Sequence, residues 1–151
     1  MSSDWQLRSV GDLCHFVSVG HVSSTVSHYC DDGSGIPLVR SQNIRPGRLV
    51  LDGVAHVTEE FHNSHPKSQL LAGDVLVTRV GANAGQVCVV PEGLGSLHLS
   101  SAVFARPFSE HSKYLELYFR APVGQSQIYS VLVGSTRGRL NTRDFENLAI
   151  R

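Results

Sequence analysis

Two runs of β-branched residues, separated by a five-residue segment with glycine at each end, constrain the fold more than any other feature of the sequence. The first run is Val75-Leu-Val-Thr-Arg-Val80, the second lies in Gln86–Val90, and Gly81-Ala-Asn-Ala-Gly85 joins them. Valine favours β-strands because its branched side chain packs well on a pleated surface. Glycine permits the backbone angles of a tight turn. The segment therefore predicts two strands joined by a turn.

The order of the other patterns along the chain predicts an α+β fold. We expect a short helix over Leu7–Val17 with Ser9 as its N-cap, a hairpin around Asp52-Gly53, and a strand over Ala102–Pro107. Helical spacing dominates residues 114–148, with a break between two helices at Ala121-Pro122 and a final short helix starting near Asn141. We expect a single domain over residues 1–151, with a twisted, mostly antiparallel β-sheet core and helices concentrated in the C-terminal third.

Arginine dominates the basic residues of a chain whose formal net charge is zero. Of 13 basic residues 11 are arginine, against 13 acidic residues. Arginine is preferred where planar, forked hydrogen bonding to phosphate or guanine is needed. Several arginines fall in predicted loops, whereas many acids fall in or beside predicted helices, so the two charges can occupy different faces. On composition alone, nucleic-acid binding and ordinary solvated charge are equally supported.

Several classes of protein do not fit the sequence. Apolar runs such as Val87–Val90 are far shorter than the roughly 20 residues of a membrane span, and the N-terminus lacks the regions of a secretory signal. We therefore expect a cytoplasmic protein. Cys14, Cys30 and Cys88 form no C-x-x-C pair, which argues against a disulfide framework and against a thiolate zinc site.

Each candidate catalytic or metal-binding pattern has a simpler structural interpretation. The Gly81–Gly85 spacing lacks the Lys and Ser/Thr that follow in a phosphate-binding loop. His62 and His65 lack a convincing third ligand nearby, so we expect them at a solvated helix end before Pro66. We could assemble neither a nucleophile elbow nor a Ser/His/Asp set. The sequence therefore predicts no enzymatic activity, no metal and no cofactor.

Two polar loops carry side chains of the types that can read base edges in DNA. The segment Arg40-Ser-Gln-Asn-Ile-Arg45 lies between predicted strands. Arg pairs with guanine, Gln and Asn pair with adenine, and Ser bonds either base or phosphate. Arg137-Gly-Arg139 with Asn141 forms a second cluster, on a loop that we expect to be too glycine-rich to be held by the core. A polar turn whose Asn and Ser bond their own backbone explains the first cluster equally well.

Three groups of motifs occur in the order that one known family shows. They are Trp5, Val10-Gly-Asp-Leu13 and Gly35-Ile-Pro-Leu-Val-Arg-Ser-Gln-Asn-Ile44 at the start, Gly73-Asp-Val-Leu-Val-Thr-Arg-Val-Gly81 with Val89-Val-Pro91 in the centre, and Tyr114-Leu, Tyr118, Gln127-Ile128, Gly134 and Leu140–Ile150 at the end. Together they resemble the target-recognition domain of type I restriction–modification specificity subunits, over nearly the whole chain. Residues 19–33 and 92–101 match no motif of that family.

That resemblance implies a chain that reads one half of a bipartite DNA target for a larger complex. Such a subunit binds DNA methyltransferase subunits and, in the full complex, the restriction subunit. The methyl donor S-adenosylmethionine belongs to the methyltransferase, so the resemblance adds no cofactor here. The family normally has two recognition domains separated by long helices. We expect the spacer helix, which would begin after Arg151, and the second recognition domain to be absent from this chain.

We expect three loops to face double-stranded DNA, with Ser100 and Ser101 joining them. Each good bidentate base contact would supply about 1–3 kcal/mol of discrimination. The predicted contact residues are Arg40, Ser41, Gln42, Asn43, Arg45, Arg48, Arg79, Asn83, Ser100, Ser101, Arg137, Arg139 and Asn141. The alternative is a protein-interaction module, such as a decoy or assembly factor, that binds methyltransferase subunits without reading DNA. Zero net charge favours that alternative.

Overall fold

The computed structural model describes residues 6–31 and 34–150, and Trp5 of the opening motif lies outside them. Strands and helices alternate irregularly along these residues. The strands are β1 (Arg8–Ser9), β2 (Cys14–Val19), β3 (Tyr29–Cys30), β4 (Ile36–Val39), β5 (Ile44–Arg45), β6 (Arg48–Leu49), β7 (Ala55–Val57), β8 (Gln69–Leu70), β9 (Val75–Thr78), β10 (Val87–Val89), β11 (Leu97–Leu99), β12 (Ala102–Pro107) and β13 (Ala149–Ile150). The α-helices are α1 (Glu59–Ser64), α2 (Ser112–Arg120), α3 (Pro122–Gly134) and α4 (Thr142–Glu146).

The central sheet is built around the predicted pair of valine-rich strands. Its order is β10-β9-β12-β2, with every pairing antiparallel. Val87 lies opposite Val77, so the hairpin prediction is confirmed. Val75 and Val77 pack toward the helices, whereas Leu76 packs toward the second sheet. Because both faces of β9 are covered, its sequence is apolar without alternation.

The second sheet has the order β3-β7-β4-β11-β8 and includes one parallel pairing, between β4 and β11. Its buried Val39, Leu97 and Leu99 pack against Leu76 and Phe104 of the central sheet. A smaller cluster of Leu38, Val57 and Phe61 covers the other side. The chain is therefore an α+β fold as predicted, but its strands form two packed sheets with two small pairs, β1-β13 and β5-β6.

The C-terminal helices cover the outer face of the central sheet. Leu115 and Phe119 of α2, Ile128 of α3 and Phe145 of α4 are all buried in one apolar cluster with that face. The predicted break at Ala121-Pro122 separates α2 from α3, since proline cannot continue the preceding helix. None of the helices in the described residues is long and apolar enough to cross a membrane.

The predicted helix over Leu7–Val17 is wrong. Ser9 does accept a hydrogen bond from the Asp12 amide at 3.2 Å, but it closes only a single 3-10 turn over Gly11–Leu13. The next six residues form β2, which pairs antiparallel with β12 from Val19 opposite Val103 down to Cys14. A full-length strand partner from distant sequence overrides the local helical spacing.

The predicted hairpin around Asp52-Gly53 is also wrong. A turn is present there, and Gly53 has the positive φ of 68° that favours glycine. The flanking strands do not pair with each other, however, because β6 pairs with β5 and β7 pairs with β3 and β4. The hairpin is formed instead across Arg45-Pro-Gly-Arg48, where Arg45 lies opposite Arg48.

One buried ion pair joins the two sheets. The Arg106 guanidinium donates to both Asp74 carboxylate oxygens at 2.9 Å and to the Gln69 carbonyl at 3.1 Å. Asp74 is fully buried and also accepts from the Leu71 amide at 2.8 Å. The pair therefore ties β12 of the central sheet to β8 of the second sheet.

We predict that Asp74→Ala lowers the free energy of unfolding by about 3 kcal/mol, because it leaves the Arg106 charge largely buried without its partner. Urea unfolding monitored by circular dichroism measures the change. Asp52→Ala, at an exposed turn, is the matched control and should change stability by no more than about 0.5 kcal/mol. Equal, small effects of both substitutions would contradict the structural role of the pair.

Candidate nucleic-acid interface

Parallel pairing of β4 and β11 brings two of the predicted contact segments to one end of the second sheet. Val39 lies opposite Leu99, and the Ser100 amide donates to the Val39 carbonyl at 2.9 Å. Arg40 and Ser100 are the residues that follow these two strands. They leave the sheet side by side because parallel strands end at the same edge.

Antiparallel pairing in the central sheet adds Arg79 to the same place. Thr78 lies opposite Ala102, so Arg79 leaves β9 where Ser101 enters β12. Ser101 has φ 58°, the one positive value among the described residues other than glycine. Its amide donates to the His21 carbonyl at 2.8 Å, which holds this unusual backbone in place.

The Arg137–Asn141 loop joins the same edge through its backbone. The Leu140 amide donates to the Arg79 carbonyl at 2.8 Å, and the Leu140 side chain is fully buried. Contrary to the sequence prediction, the core therefore holds this loop at its C-terminal end. Burial, with a smaller contribution from the positive charge of Arg139, lowers the pKa of Arg79. We call Arg40, Ser101, Arg79 and Arg139 together the basic edge.

The β5–β6 hairpin lies beside the basic edge. The Gly47 amide donates to the carbonyl of Val87, which is close to the end of the Gly81–Gly85 turn. The guanidinium of Arg120 occupies the space where a Gly47 side chain would lie, and Gly47 has φ 76°. Arg120 is 39% exposed and only 3.9 Å from the buried Glu116 carboxylate.

Arg120 is a candidate contact that sequence reasoning missed. Its position at the end of a helix, just before Ala121-Pro122, was the available signal. That position in the sequence predicts the end of a helix, but it does not predict that the Arg120 side chain contacts the β5–β6 hairpin.

The predicted contact residues differ in accessibility. The exposed ones are Gln42, Arg45, Arg48, Asn83, Arg137, Arg139 and Asn141; the half-buried ones are Arg40, Ser41, Arg79 and Ser101; the buried ones are Asn43 and Ser100. The Nε atoms of Arg40 and Arg79 are buried and have no hydrogen-bond partner in the described part of the chain. Unpaired buried donors are uncommon and are typical of places that a ligand or water completes.

Asn43 and Ser100 are buried and hydrogen-bonded within the protein, which gives both a structural role, and their contact with DNA stays a prediction. The Asn43 carbonyl oxygen accepts from the Arg40 amide, and its amide nitrogen donates to the Val50 carbonyl, both at 2.9 Å. The Ser100 hydroxyl donates to the His21 carbonyl at 3.0 Å. For Asn43, the alternative interpretation of a polar turn bonded to its own backbone describes the structure.

Asn141 has a mixed role. Its side-chain oxygen accepts from the Asp144 amide at 2.8 Å, so it caps α4 while remaining exposed.

A surface groove lies at the other end of the β9–β10 hairpin. Its volume is about 680 Å³, and its lining includes Asp74, Glu92 and Glu110 together with Arg106. The charges of Asp74 and Arg106 cancel in their ion pair, so Glu92 and Glu110 give the groove a negative charge. An anionic ligand would therefore be repelled from this end and attracted to the basic edge.

His62 does not lie at a solvated helix end as predicted. Its side chain is buried, and its Nδ1 lies 2.9 Å from Nδ1 of the fully buried His98. His98 is on β11, far away in sequence, so spacing could not reveal the pair. Within residues 6–31 and 34–150, no group of three or more His, Cys, Asp or Glu residues is arranged to hold a metal ion.

Comparisons with known proteins agree with the motif pattern. No protein-family model matches the chain. The type I restriction enzyme EcoBI specificity subunit of Escherichia coli is 28% identical over 121 residues, which cover 78% of this chain and 25% of that protein. The resemblance to type I specificity subunits is confirmed.

Solved structures of such subunits and complexes share the fold of this chain. The HsdS subunit from Thermoanaerobacter tengcongensis has a TM-score of 0.67 at 16% identity, covering 99% of this chain and 33% of that one. A chain from a structure of type I restriction–modification complex assembly and conformational transition gives 0.69 at 17% identity, covering 99% and 34%. The chain spans about a quarter of its curated relative and about a third of the solved chains.

We predict that Asn43→Ala lowers the free energy of unfolding by about 2 kcal/mol, because it leaves two half-buried backbone groups, the Arg40 amide and the Val50 carbonyl, without partners. Urea unfolding is the measurement. Gln42→Ala removes the neighbouring exposed amide and should change stability by less than about 0.5 kcal/mol. If Asn43→Ala were as stable as Gln42→Ala, the Asn43 amide would be free to serve a ligand.

Proposed function

We propose that this chain reads one half of a bipartite DNA target for a type I restriction–modification complex. The observation that carries the proposal is the convergence of Arg40, Ser101, Arg79 and Arg139, from four separate segments, on one edge. A specificity subunit is the relative that the chain resembles in sequence. In this proposal residues 1–151 form one recognition domain acting in the cytoplasm.

The two kinds of DNA contact divide along the edge by exposure. Arg45, Arg48, Arg137 and Arg139 are exposed on a hairpin tip and a loop, which suits phosphate contacts that position the duplex without reading sequence. The Arg40 guanidinium donates a hydrogen bond to the Tyr29 hydroxyl at 3.3 Å. A guanidinium fixed in this way is suited to bidentate contact with a guanine edge, because a fixed fork selects one geometry.

The uneven distribution of charge explains how a neutral chain binds a polyanion. The edge residues carry positive charge, while Glu92 and Glu110 line the groove at the opposite end of the β9–β10 hairpin. DNA would therefore approach in one orientation, with the basic edge toward the phosphates. Methyltransferase and restriction subunits are the proposed protein partners, and the chemistry of methylation and cleavage is assigned to them.

A protein-interaction module without DNA readout is the competing function. Among the described residues no particular contact favours it, whereas the meeting of arginines from separate segments at the basic edge favours an anionic ligand. The two functions differ in their response to salt, because counterion release makes DNA binding strongly salt-dependent.

We predict that Arg139→Gln weakens binding to a duplex DNA pool three- to tenfold, roughly 1 kcal/mol, and reduces the slope of log K against log salt by about 0.9. Fluorescence anisotropy over a salt series gives both quantities. Arg8→Gln removes an equal, exposed charge from β1, away from the basic edge, and should leave the slope within error of the parent chain. Equal losses in the two variants would mean that charge alone, and not its position, drives binding.

The decisive functional experiment is a domain exchange. We expect that grafting residues 1–151 in place of the matching segment of a working specificity subunit changes one half of the methylated target, as read by sequencing of methylated sites. Arg40→Ala in that graft should then relax a single base position, at a cost of about 1–3 kcal/mol. An active graft with an unchanged target, or Arg40→Ala without effect on preference, would contradict the proposed readout.

A further inference from the structure

Four histidines surround Phe61 on the outer side of the second sheet, and a fifth contacts one of the four. The Phe61 ring centroid lies 4.1 Å from His28, 4.4 Å from His65, and 5.0 Å from both His21 and His98. The fifth, His62, contacts His98. These residues come from the segment after β2, the turn before β3, α1 and β11, so they gather four parts of the chain. We call His21, His28, His62, His65 and His98 the histidine cluster.

The buried pair at the centre of the cluster can hold only a limited number of protons. The two Nδ1 atoms of His62 and His98 are 2.9 Å apart, so one must donate and the other accept, and protonating both nitrogens would place two N–H groups head to head. The Nε2 atom of His98 is buried and has no partner among the described residues. The pair can therefore take up one proton, on the free Nε2 of the donating ring, but a second proton would break the Nδ1–Nδ1 hydrogen bond.

The surroundings oppose protonation of the cluster. Burial, followed by the neighbouring charges of His62, His21 and His65, lowers the pKa of His98 to about 4. Burial also lowers the pKa values of His62 and His21. Glu59 on α1 acts in the other direction on His62, but more weakly than burial.

The contacts of the cluster with β8, β4, β7 and Ser23 are all with uncharged side chains. Gln69 of β8 donates its amide to the His62 carbonyl at 2.8 Å. Leu38 of β4 and Val57 of β7 pack with Phe61. The Ser23 hydroxyl lies 2.7 Å from His21 Nε2. Glu59 is thus the acidic influence on a group of rings that otherwise repel each other once charged.

The histidine cluster is joined directly to the basic edge through His21. The ring of His21 belongs to the cluster, while its backbone is bonded to the segment around Ser101. Its amide donates to the Leu99 carbonyl at 3.0 Å, and its carbonyl accepts from the Ser101 amide at 2.8 Å and the Ser100 hydroxyl at 3.0 Å. His98 is itself two residues before Ser100. Movement of these rings would therefore move Ser100 and Ser101.

We propose that the histidine cluster is a positioning element for the basic edge, and that its protonation in mild acid releases the Ser100–Ser101 segment and weakens DNA binding. The DNA part rests on the proposed function; the release of the segment does not. The direction follows from linkage. A histidine that is harder to protonate in the folded state destabilises that state as the pH falls below its ordinary pKa of about 6.5.

The predicted sign of the effect on DNA binding is unusual. Protonation of histidines near DNA ordinarily adds positive charge and strengthens binding. Here acid first disturbs the histidine cluster that holds the Ser100–Ser101 segment, so the affinity for DNA should fall as the pH decreases. A merely structural cluster would leave the ordinary sign unchanged.

Amide hydrogen exchange on the intact chain tests the release directly and needs no DNA. We expect the protection factor of the Ser101 amide to fall at least about tenfold between about pH 7 and pH 5, as the cluster protonates. The Gly73 amide, which donates to the Val90 carbonyl at 2.8 Å on the far side of the central sheet, is the internal reference. A constant ratio between the two protection factors would overturn the proposal.

Affinity for a duplex DNA pool, measured at about pH 7.5 and pH 5.5, tests the coupling. We expect at least about threefold weaker binding at the lower pH, and loss of that dependence in His98→Gln, which keeps a hydrogen-bonding side chain but does not titrate. His15→Gln, an exposed histidine away from the cluster, is the matched control and should retain the dependence.

The two arms separate the two proposals. Tighter binding by the parent chain in acid would overturn the coupling, whether or not His98→Gln folds. Loss of Ser101 protection without DNA binding at either pH would support the positioning role while contradicting the proposed function.

Discussion

Burial of β9 on both faces is the constraint on which the rest of the structure depends. Val75 and Val77 pack with the helices and Leu76 packs with the second sheet, so this strand requires one layer on each side. The same strand has β10 and β12 as its hydrogen-bonded neighbours. Their register fixes Arg79 opposite the start of β12, and the Leu140 amide then attaches the last polar loop to Arg79. The candidate interface is therefore a consequence of how the core is packed.

Local sequence was sufficient where a segment determines its own structure. The β9–β10 hairpin follows from valine and glycine, the break at Ala121-Pro122 from proline, and the start of the last helix near Asn141 from helical spacing, and each is present. Leu7–Val17 failed because β12 offers β2 a long antiparallel partner that local periodicity does not encode. For the candidate site, residue type identified the loops but not which side chains face outward. Asn43 looks like Gln42 in sequence and differs only in its bonds to Arg40 and Val50.

Position, and not net charge, determines what a neutral chain of this kind can bind. Arginines from separate segments meet at one edge, while Glu92 and Glu110 lie together in a groove at the other end of the hairpin. The histidine cluster is joined to this edge by the hydrogen bonds of the His21 backbone with Ser100 and Ser101. The support and the proposed contact thus lie in the same short segment, residues 97–101, which matches no family motif and whose first three residues form the buried strand β11. Changes in that segment would alter the shape of the edge without removing a charge.

The central claim is that one edge of the molecule faces DNA, and a hydrogen–deuterium exchange footprint on duplex DNA tests it most directly. With a duplex pool at low salt, where phosphate contacts are strongest, the account predicts added protection over residues 40–48, 79–86, 100–101 and 135–141. Residues 71–74, 91–96 and 107–112, around the acidic groove, should exchange as in the free chain. Protection confined to the groove, or spread evenly over both ends, would contradict the account.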